Sequence, residues 1–354
     1  MSTDLSTQLR GDSADRQIVD SDLHVYPPEE DALEPFLPER FRGKGVSYPD
    51  GNWASPVGPF REDVSIGEGS EVATEHLDPL GIDRAVVTGS RPVFRVGSGP
   101  DRRYAAALTS AYNDWLLEER LSADDRLRGS IAVAPVAPEA AAEEVRRLGD
   151  HPAMVQVVMG AATQVALGEE RYWPVYEAAV EHGLPVAIHA GGEGYGLAHA
   201  NTGAGYPSTY LEAHSVRPAN FMGQLLSLVL EGAFVEFPDL RVVMVGGGYS
   251  WVPSFLWRID KMWKGLTEDV PWLERPPSQY VREHVRFVTY PIDESGDAER
   301  TGRMLEMLHA EDTLMFGSNY PHWESYAPGE PLPELDPSLT RAIFAGTATE
   351  LYDL

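Results

Sequence analysis

An α/β chain whose eight parallel strands close into a barrel, each strand followed by a helix, is the fold this sequence predicts. Three observations predict it. Eight short apolar runs recur between residue 17 and the end of the 354-residue chain, and each is followed by apolar residues at helical spacing. The runs are continuous rather than alternating, as burial of both strand faces demands. The glycine-rich phosphate turn that an open, doubly wound sheet usually carries after its first strand is missing.

The first strand lies in QIVDSDLHVYP, residues 17–27, after a polar stretch, 1–16, read as a disordered tail. A long segment rich in Pro and Gly follows, from residue 26 to about 69, and carries Trp53. Loops of this length usually cover a site or meet a partner. A short helix is expected over 70–80, then a strand at 84–90 (RAVVTGS), a helix over 101–121 and a strand at 128–136 (RGSIAVAPV). An Ala- and Glu-rich helix at 138–148 leads to the strand AMVQVVMG, 153–160; a helix at 170–182 leads to PVAIHA, 185–190. A second insertion, 191–216, precedes an apolar helix at 218–234 and the strand RVVMV, 241–245. After a helix at 251–266 and a Pro-rich excursion to about 277 come VRFVTY (285–290), a helix at 298–309, TLMFG (313–317) and a last helix near 338–352. The expected organisation is one domain over 17–354, its mouth covered by the two insertions.

Composition bounds the function. The chain is 43% apolar, enough for a sizeable core, and has no apolar run long enough to span a bilayer. Its first residues lack the basic start and apolar stretch of a secretory signal, so a cytoplasmic location is expected. There is no cysteine, hence no disulfide, thiolate ligand or cysteine nucleophile. A net charge of −27 argues against nucleic acid and anionic membranes as partners. The expected partner is a small-molecule substrate, and the sequence admits a homo-oligomer. An anionic substrate would be repelled by this field unless local arginines reverse it.

Chemistry in such a barrel sits at the C-terminal strand ends. Strand one supplies Asp22 and His24, which alternation sends to the same side. Strand five supplies His189, and the insertion after it His199, Glu212 and His214. Strand six ends in three glycines and Tyr249, strand seven in Tyr290 and Asp293, strand eight in Ser318, Asn319 and His322. Asp22, His24 and His189 form a two-His, one-carboxylate set suited to zinc, manganese or iron. His189, His214, Asn319 and His322 are the catalytic candidates; Tyr249, Tyr290, Arg217 and Trp53 the substrate-binding ones. A solvated or structural ion pair is the competing role for Arg217. His76, His151, His182 and His309 are expected at the surface or at helix ends, and His284 at the bottom of the barrel.

Several long motifs stand in one order: DSDLHVYP, LPVAIHAGG, PSTYLEAHS, EGAFVEFPDLRVVMV with YSWVPSFLWRIDKMWKGL, and MFGSNYPHWES. In these the chain, from about Ile18 onward, resembles the amidohydrolase-related TIM-barrel family that includes aminocarboxymuconate-semialdehyde decarboxylase and the resorcylate decarboxylases. The resemblance implies that Asp22 and His24 match an acidic variant of the family's first-strand His-x-His and that His189 matches its strand-five ligand. Two positions depart. Gly246 stands where the family ends strand six with a His or Glu, removing a functional side chain and leaving space. Asn319 stands for the aspartate of S-D-Y-P-H, which is both metal ligand and proton acceptor for the attacking water. An amide carries no charge and is no base near neutral pH. The resemblance thus implies a hydrolase or decarboxylase-type lyase acting on a small cyclic or carboxylated metabolite, its divalent metal weakly held or absent. The alternative is a catalytically reduced relative that binds a small molecule or serves a partner as a subunit.

Overall fold

The computed structural model describes residues 17–28, 31–44, 72–194, 196–200, 203–293, 295–328, 332 and 335–354. The 1–16 tail, most of the 26–69 segment and Trp53 lie outside the described residues. Eight strands, β1 (Val19–Leu23), β2 (Arg84–Val87), β3 (Leu127–Ala132), β4 (Met154–Gly160), β5 (Val186–His189), β6 (Val242–Val245), β7 (Val285–Val288) and β8 (Leu314–Met315), pair in chain order, every pair parallel. The seam is closed by backbone bonds. Ser21 N donates to Phe316 O (2.8 Å), Asn319 N to Asp22 O (2.9 Å) and His24 N to Tyr320 O (2.8 Å). The sheet is therefore a barrel and not an open twisted sheet.

The strands owe their place to burial. All seven residues of β4 and all four of β5 and of β6 are buried. Each buried aliphatic side chain contributes about 1.5–3 kcal/mol. Outside the barrel, amphipathic helices lie between successive strands, and acidic or hydroxyl residues cap several of them: Asp101 accepts from Tyr104 N, Thr209 from Glu212 N and Asp297 from Arg300 N.

Two helices were not expected. Arg91–Gly97 follows β2, and Pro277–His284 occupies the end of the Pro-rich excursion. Proline in the first turn of each starts a helix rather than breaking one. Within 191–216 the described residues form turns and the short helix Tyr210–Ser215. His284, as expected, is structural: it is 1% exposed, its Nδ1 faces Leu240 O at 2.8 Å, and its ring stacks on Phe234. His76 is not at the surface. It is buried, with Nε2 3.0 Å from Asp20 Oδ2, because the 72–80 segment turns this side chain inward against β1.

Candidate metal centre at the barrel mouth

Asp22, on β1, is fully buried, with His24 just beyond the strand. The register of β1 against β2 shifts between Asp20 and Leu23, and Asp22 N donates to Asp20 Oδ1 (3.1 Å). Such an irregularity re-aims side chains. Asp20 therefore leaves the site: it accepts from Ser318 N (2.9 Å), Ser318 Oγ (2.6 Å) and His76, tying β1 to the segment after β8.

Asp22 instead meets His24 and His189. Its Oδ1 lies 3.4 Å from His24 Nε2 and 3.6 Å from His189 Nε2. Each imidazole is fixed through its other nitrogen: His24 Nδ1 is 3.0 Å from Gly89 O, and His189 Nδ1 is 2.6 Å from Ala190 O. A carbonyl can only accept, so Nδ1 carries the proton in both, and Nε2 is the atom turned toward Asp22, a donor to it in the charged ring and a metal ligand in the neutral one. Thr88 Oγ1 donates to Asp22 Oδ1 at 2.6 Å. Burial pushes the Asp22 carboxyl up, but the His189 and His24 imidazoles and the Thr88 hydroxyl outweigh it and hold the group below its ordinary value. The carboxylate is anionic in a buried site.

Asp22 Oδ2 and His189 Nε2 are buried without a hydrogen-bond partner among the described residues. Leaving such groups unmade costs about 1–3 kcal/mol each, so the arrangement needs a further occupant. Ligand atoms of Asp22, His24 and His189 all lie within 4.8 Å of one another, and they form a group that fits a metal ion. At metal–ligand lengths of about 2.0–2.2 Å, two ligands on one ion sit roughly 3–4 Å apart. The 3.4 and 3.6 Å separations fall in that range.

The ring of Phe94, from the unexpected helix Arg91–Gly97, stacks on His189 with 4.7 Å between centroids and 6° between planes. Nothing in the sequence marked Phe94. His322 packs edge-on against His24 at 4.7 Å. Its Nδ1 lies 2.8 Å from Asn319 Oδ1 and its Nε2 2.9 Å from Tyr26 Oη. Asn319 has φ +57°, a region in which asparagine is favoured. Its amide oxygen serves the His322 imidazole.

His214 belongs to a second cluster and is not one of the three grouped donors. Its Nε2 lies 3.1 Å from Glu324 Oε2 and 3.3 Å from Tyr290 Oη. Tyr210 Oη also donates to Glu324 Oε1 (3.1 Å), as does Tyr290 Oη. Burial pushes the Glu324 carboxyl up, but His214 and Tyr290 more than offset it and hold it below its usual range. Burial, partly opposed by Arg217 and aided by Glu324, drives the Tyr290 hydroxyl well above its usual value. Glu324 was missed because, although it stands inside MFGSNYPHWES, a lone Glu beyond the strand's end resembles any surface carboxylate.

Tyr249 is 0% exposed, and its backbone is turned by Asp293, whose Oδ2 accepts from Tyr249 N (3.0 Å) and Ser250 N (3.1 Å). His199 is exposed and contacts Gln164 O (2.8 Å), and Glu212 caps Ser208 (2.8 Å); neither joins either cluster. Gly246 does not leave space: at φ +81° a β-carbon there would meet Ala190 Cβ at 3.0 Å.

Barrel and site together define the class. The chain matches the Amidohydrolase family over residues 19–354 and belongs to it. It is thus an enzyme of the hydrolase or carbon–carbon lyase type built on this barrel. Among particular relatives, it is 27% identical over 275 residues to gamma-resorcylate decarboxylase of Rhodococcus jostii (strain RHA1), spanning 71% of this chain and 77% of that protein. The fold is shared with an amidohydrolase from Mycobacterium avium subsp. paratuberculosis K-10 (TM-score 0.71, 18% identity, 97% of this chain and 99% of the other). It is also shared with 5-carboxyvanillate decarboxylase from Novosphingobium aromaticivorans DSM 12444, solved with manganese and 4-hydroxy-3-methoxy-5-nitrobenzoic acid (TM-score 0.69, 18% identity, 97% and 98% covered). Among the described residues no helix is long and apolar enough to cross a membrane.

Proposed function

We propose that this protein is a non-oxidative decarboxylase of a small carboxylated aromatic compound. The observation that carries the reading is the buried Asp22–His24–His189 group, whose ligand atoms lie within 4.8 Å of one another, two of them without a hydrogen-bond partner among the described residues. A divalent cation held by these three residues would supply Lewis acidity toward a substrate oxygen. We also propose that the cation, manganese, zinc or iron, is weakly held, since Asn319 stands where the resemblance expects a carboxylate.

The same position separates lyase from hydrolase. Hydrolysis needs a base to take a proton from water, and the amide of Asn319 is not one. Decarboxylation makes no such demand. The bond between ring carbon and carboxylate breaks, its electron pair stays on the ring carbon, a proton takes the vacated place and CO2 departs. His214 is assigned the proton: its Nε2 sits between Glu324 Oε2 (3.1 Å) and Tyr290 Oη (3.3 Å), which hold the ring in place. His322, oriented by Asn319 and Tyr26, is assigned to wall the site beside His24.

The test is direct. Purified protein supplied with Mn2+, Zn2+ or Fe2+ is offered 2,6-dihydroxybenzoate and 5-carboxyvanillate, with CO2 release followed by a coupled assay. A panel of lactones and amides runs in parallel. CO2 release that falls at least 100-fold in His214→Gln supports the reading, that being the scale of a lost acid–base group. Turnover of the lactone or amide panel without CO2 release overturns it. Binding of the aromatic acids with no turnover of any compound would favour the catalytically reduced alternative.

A further inference from the structure

Arg217 is the first residue of the 14-residue helix Arg217–Leu230, three positions after His214. A cation there is opposed by the helix dipole, which favours anions at this end. The side chain is partly buried, yet its guanidinium donates no hydrogen bond and makes no ion pair with any described residue. Arg126, Arg146, Arg147, Arg275, Arg282 and Arg303, by contrast, are all ion-paired. Arg258, on the helix that follows β6, is exposed to water.

The acids within electrostatic reach of Arg217 are Glu193 and Glu324, with Tyr290 and Tyr210 beside them. These acids are already engaged. Glu324 accepts from His214, Tyr290 and Tyr210, and Glu193 Oε1 accepts from Gly191 N (3.1 Å). Five N–H donors on a planar fork are left uncommitted among the described residues, within electrostatic reach of Glu324 and Tyr290, in a protein whose net charge of −27 otherwise repels anions. A planar anion matches that fork.

We infer that Arg217 selects the substrate by holding a second anionic substituent, one that stays on the ring while the carboxylate bound for CO2 leaves. The assignment rests on the decarboxylase reading and narrows it to aromatic acids with two anionic groups. The choice between substituents follows from the chemistry. A guanidinium on the departing carboxylate would stabilise the ground state, and that stabilisation is lost as the charge moves onto the ring. A group unchanged through the reaction can be held equally in both states, which lowers KM and leaves kcat alone.

The experiment measures binding of isophthalate, benzoate and 3-hydroxybenzoate by calorimetry, in the presence of Mn2+, to the natural protein, Arg217→Gln and Arg217→Lys. Isophthalate should bind the natural protein about 10- to 100-fold more tightly than benzoate, the scale of charged hydrogen bonds. Arg217→Gln should erase that preference while leaving the benzoate affinity within about twofold, since its neutral amide removes only the charged contact. Arg217→Lys should keep part of the preference, because the charge stays and the fork is lost; this arm decides the question if Arg217→Gln does not fold. A preference for 3-hydroxybenzoate over isophthalate would identify the retained group as a neutral hydroxyl, since a phenol keeps its proton near neutral pH, and would overturn the assignment of a second anion. Equal affinity for all three ligands in the natural protein, or an unchanged preference in the variants, overturns it. On any substrate that is turned over, Arg217→Gln should raise KM with kcat unchanged, and a kcat that rises would place the departing carboxylate on Arg217. Arg217-dependent preference without any CO2 release would leave this assignment standing and remove the decarboxylase reading.

Discussion

Asp22 and Asn319 are joined through backbone, Asn319 N to Asp22 O, yet they play opposite parts: one is an anion in a buried group of metal-ligand atoms, the other a neutral amide turned to His322. Replacing Asn319 by Asp keeps an acceptor for His322 Nδ1–H and a residue that tolerates φ +57°. It adds a charge beside the group. Metal analysis of protein purified without chelator should show substoichiometric metal in the natural chain and higher occupancy in Asn319→Asp. Full, tightly held metal in the natural chain would remove the weak-site reading. Asp22→Asn should lower Mn2+ affinity by at least about 100-fold, since even loss of an outer partner costs 10–100-fold. Glu324 offers a pH test. Its folded carboxyl lies below its ordinary 4.5, so the unfolded chain binds the extra proton in the window beneath that value. Stability from Glu324 is therefore fully present above about pH 4.5 and lost as pH falls through the folded value. Urea denaturation between pH 3 and 6 should give a shallower slope in Glu324→Gln than in the natural protein. Equal slopes would mean that the His214 and Tyr290 contacts do not persist in solution.

At the scale of elements, the strands were legible and the irregularities were not. Continuous apolar runs such as PVAIHA and RVVMV could only be buried strands, and the strand ends placed Asp22, His24 and His189 together. Strict alternation, however, would also have put Asp20 with them. The irregularity in β1 sends Asp20 to the seam, and nothing local in DSDLH signals it. His76, 56 residues away in sequence, and Phe94, on a helix that prolines concealed, are brought in by long-range packing that periodicity does not register. The seam is strong where it is least regular. Asp20 accepts from Ser318 N, Ser318 Oγ, Asp22 N and His76, all buried. Asp20→Ala would strand those donors, and removal of one partner from a buried charged network costs about 3–5 kcal/mol. Equilibrium denaturation should show a loss of that size. A loss under 1 kcal/mol would mean that the seam is held by its backbone bonds alone.

Across the whole molecule, the last helix reaches back into the barrel. Tyr352 Oη donates to Gln156 Oε1 on β4 (3.0 Å), Gln156 Nε2 donates to Ser130 Oγ on β3 (2.8 Å), and Ser130 Oγ donates to Val87 O on β2 (2.6 Å). The C-terminal turn thus anchors a buried relay across three strands, and Tyr352→Phe, leaving Gln156 short of a donor, should cost about 1–3 kcal/mol in denaturation. Charge acts at the same scale. With a net −27, the protein's long-range field opposes an anionic aromatic acid even if Arg217 attracts it at contact. Salt distinguishes the two ranges, since raising ionic strength from 0.01 to 0.15 M shortens the screening length from about 30 to about 8 Å. Distant repulsion is screened first, while a contact in a partly buried site is screened far less. KM for an anionic substrate should therefore fall by about 2- to 10-fold over that range, with kcat unchanged and with affinity for a neutral aromatic competitor flat. A KM that rises with salt would mean that the mouth is already positive at long range, so that local arginines outweigh the acidic surface well before the substrate arrives.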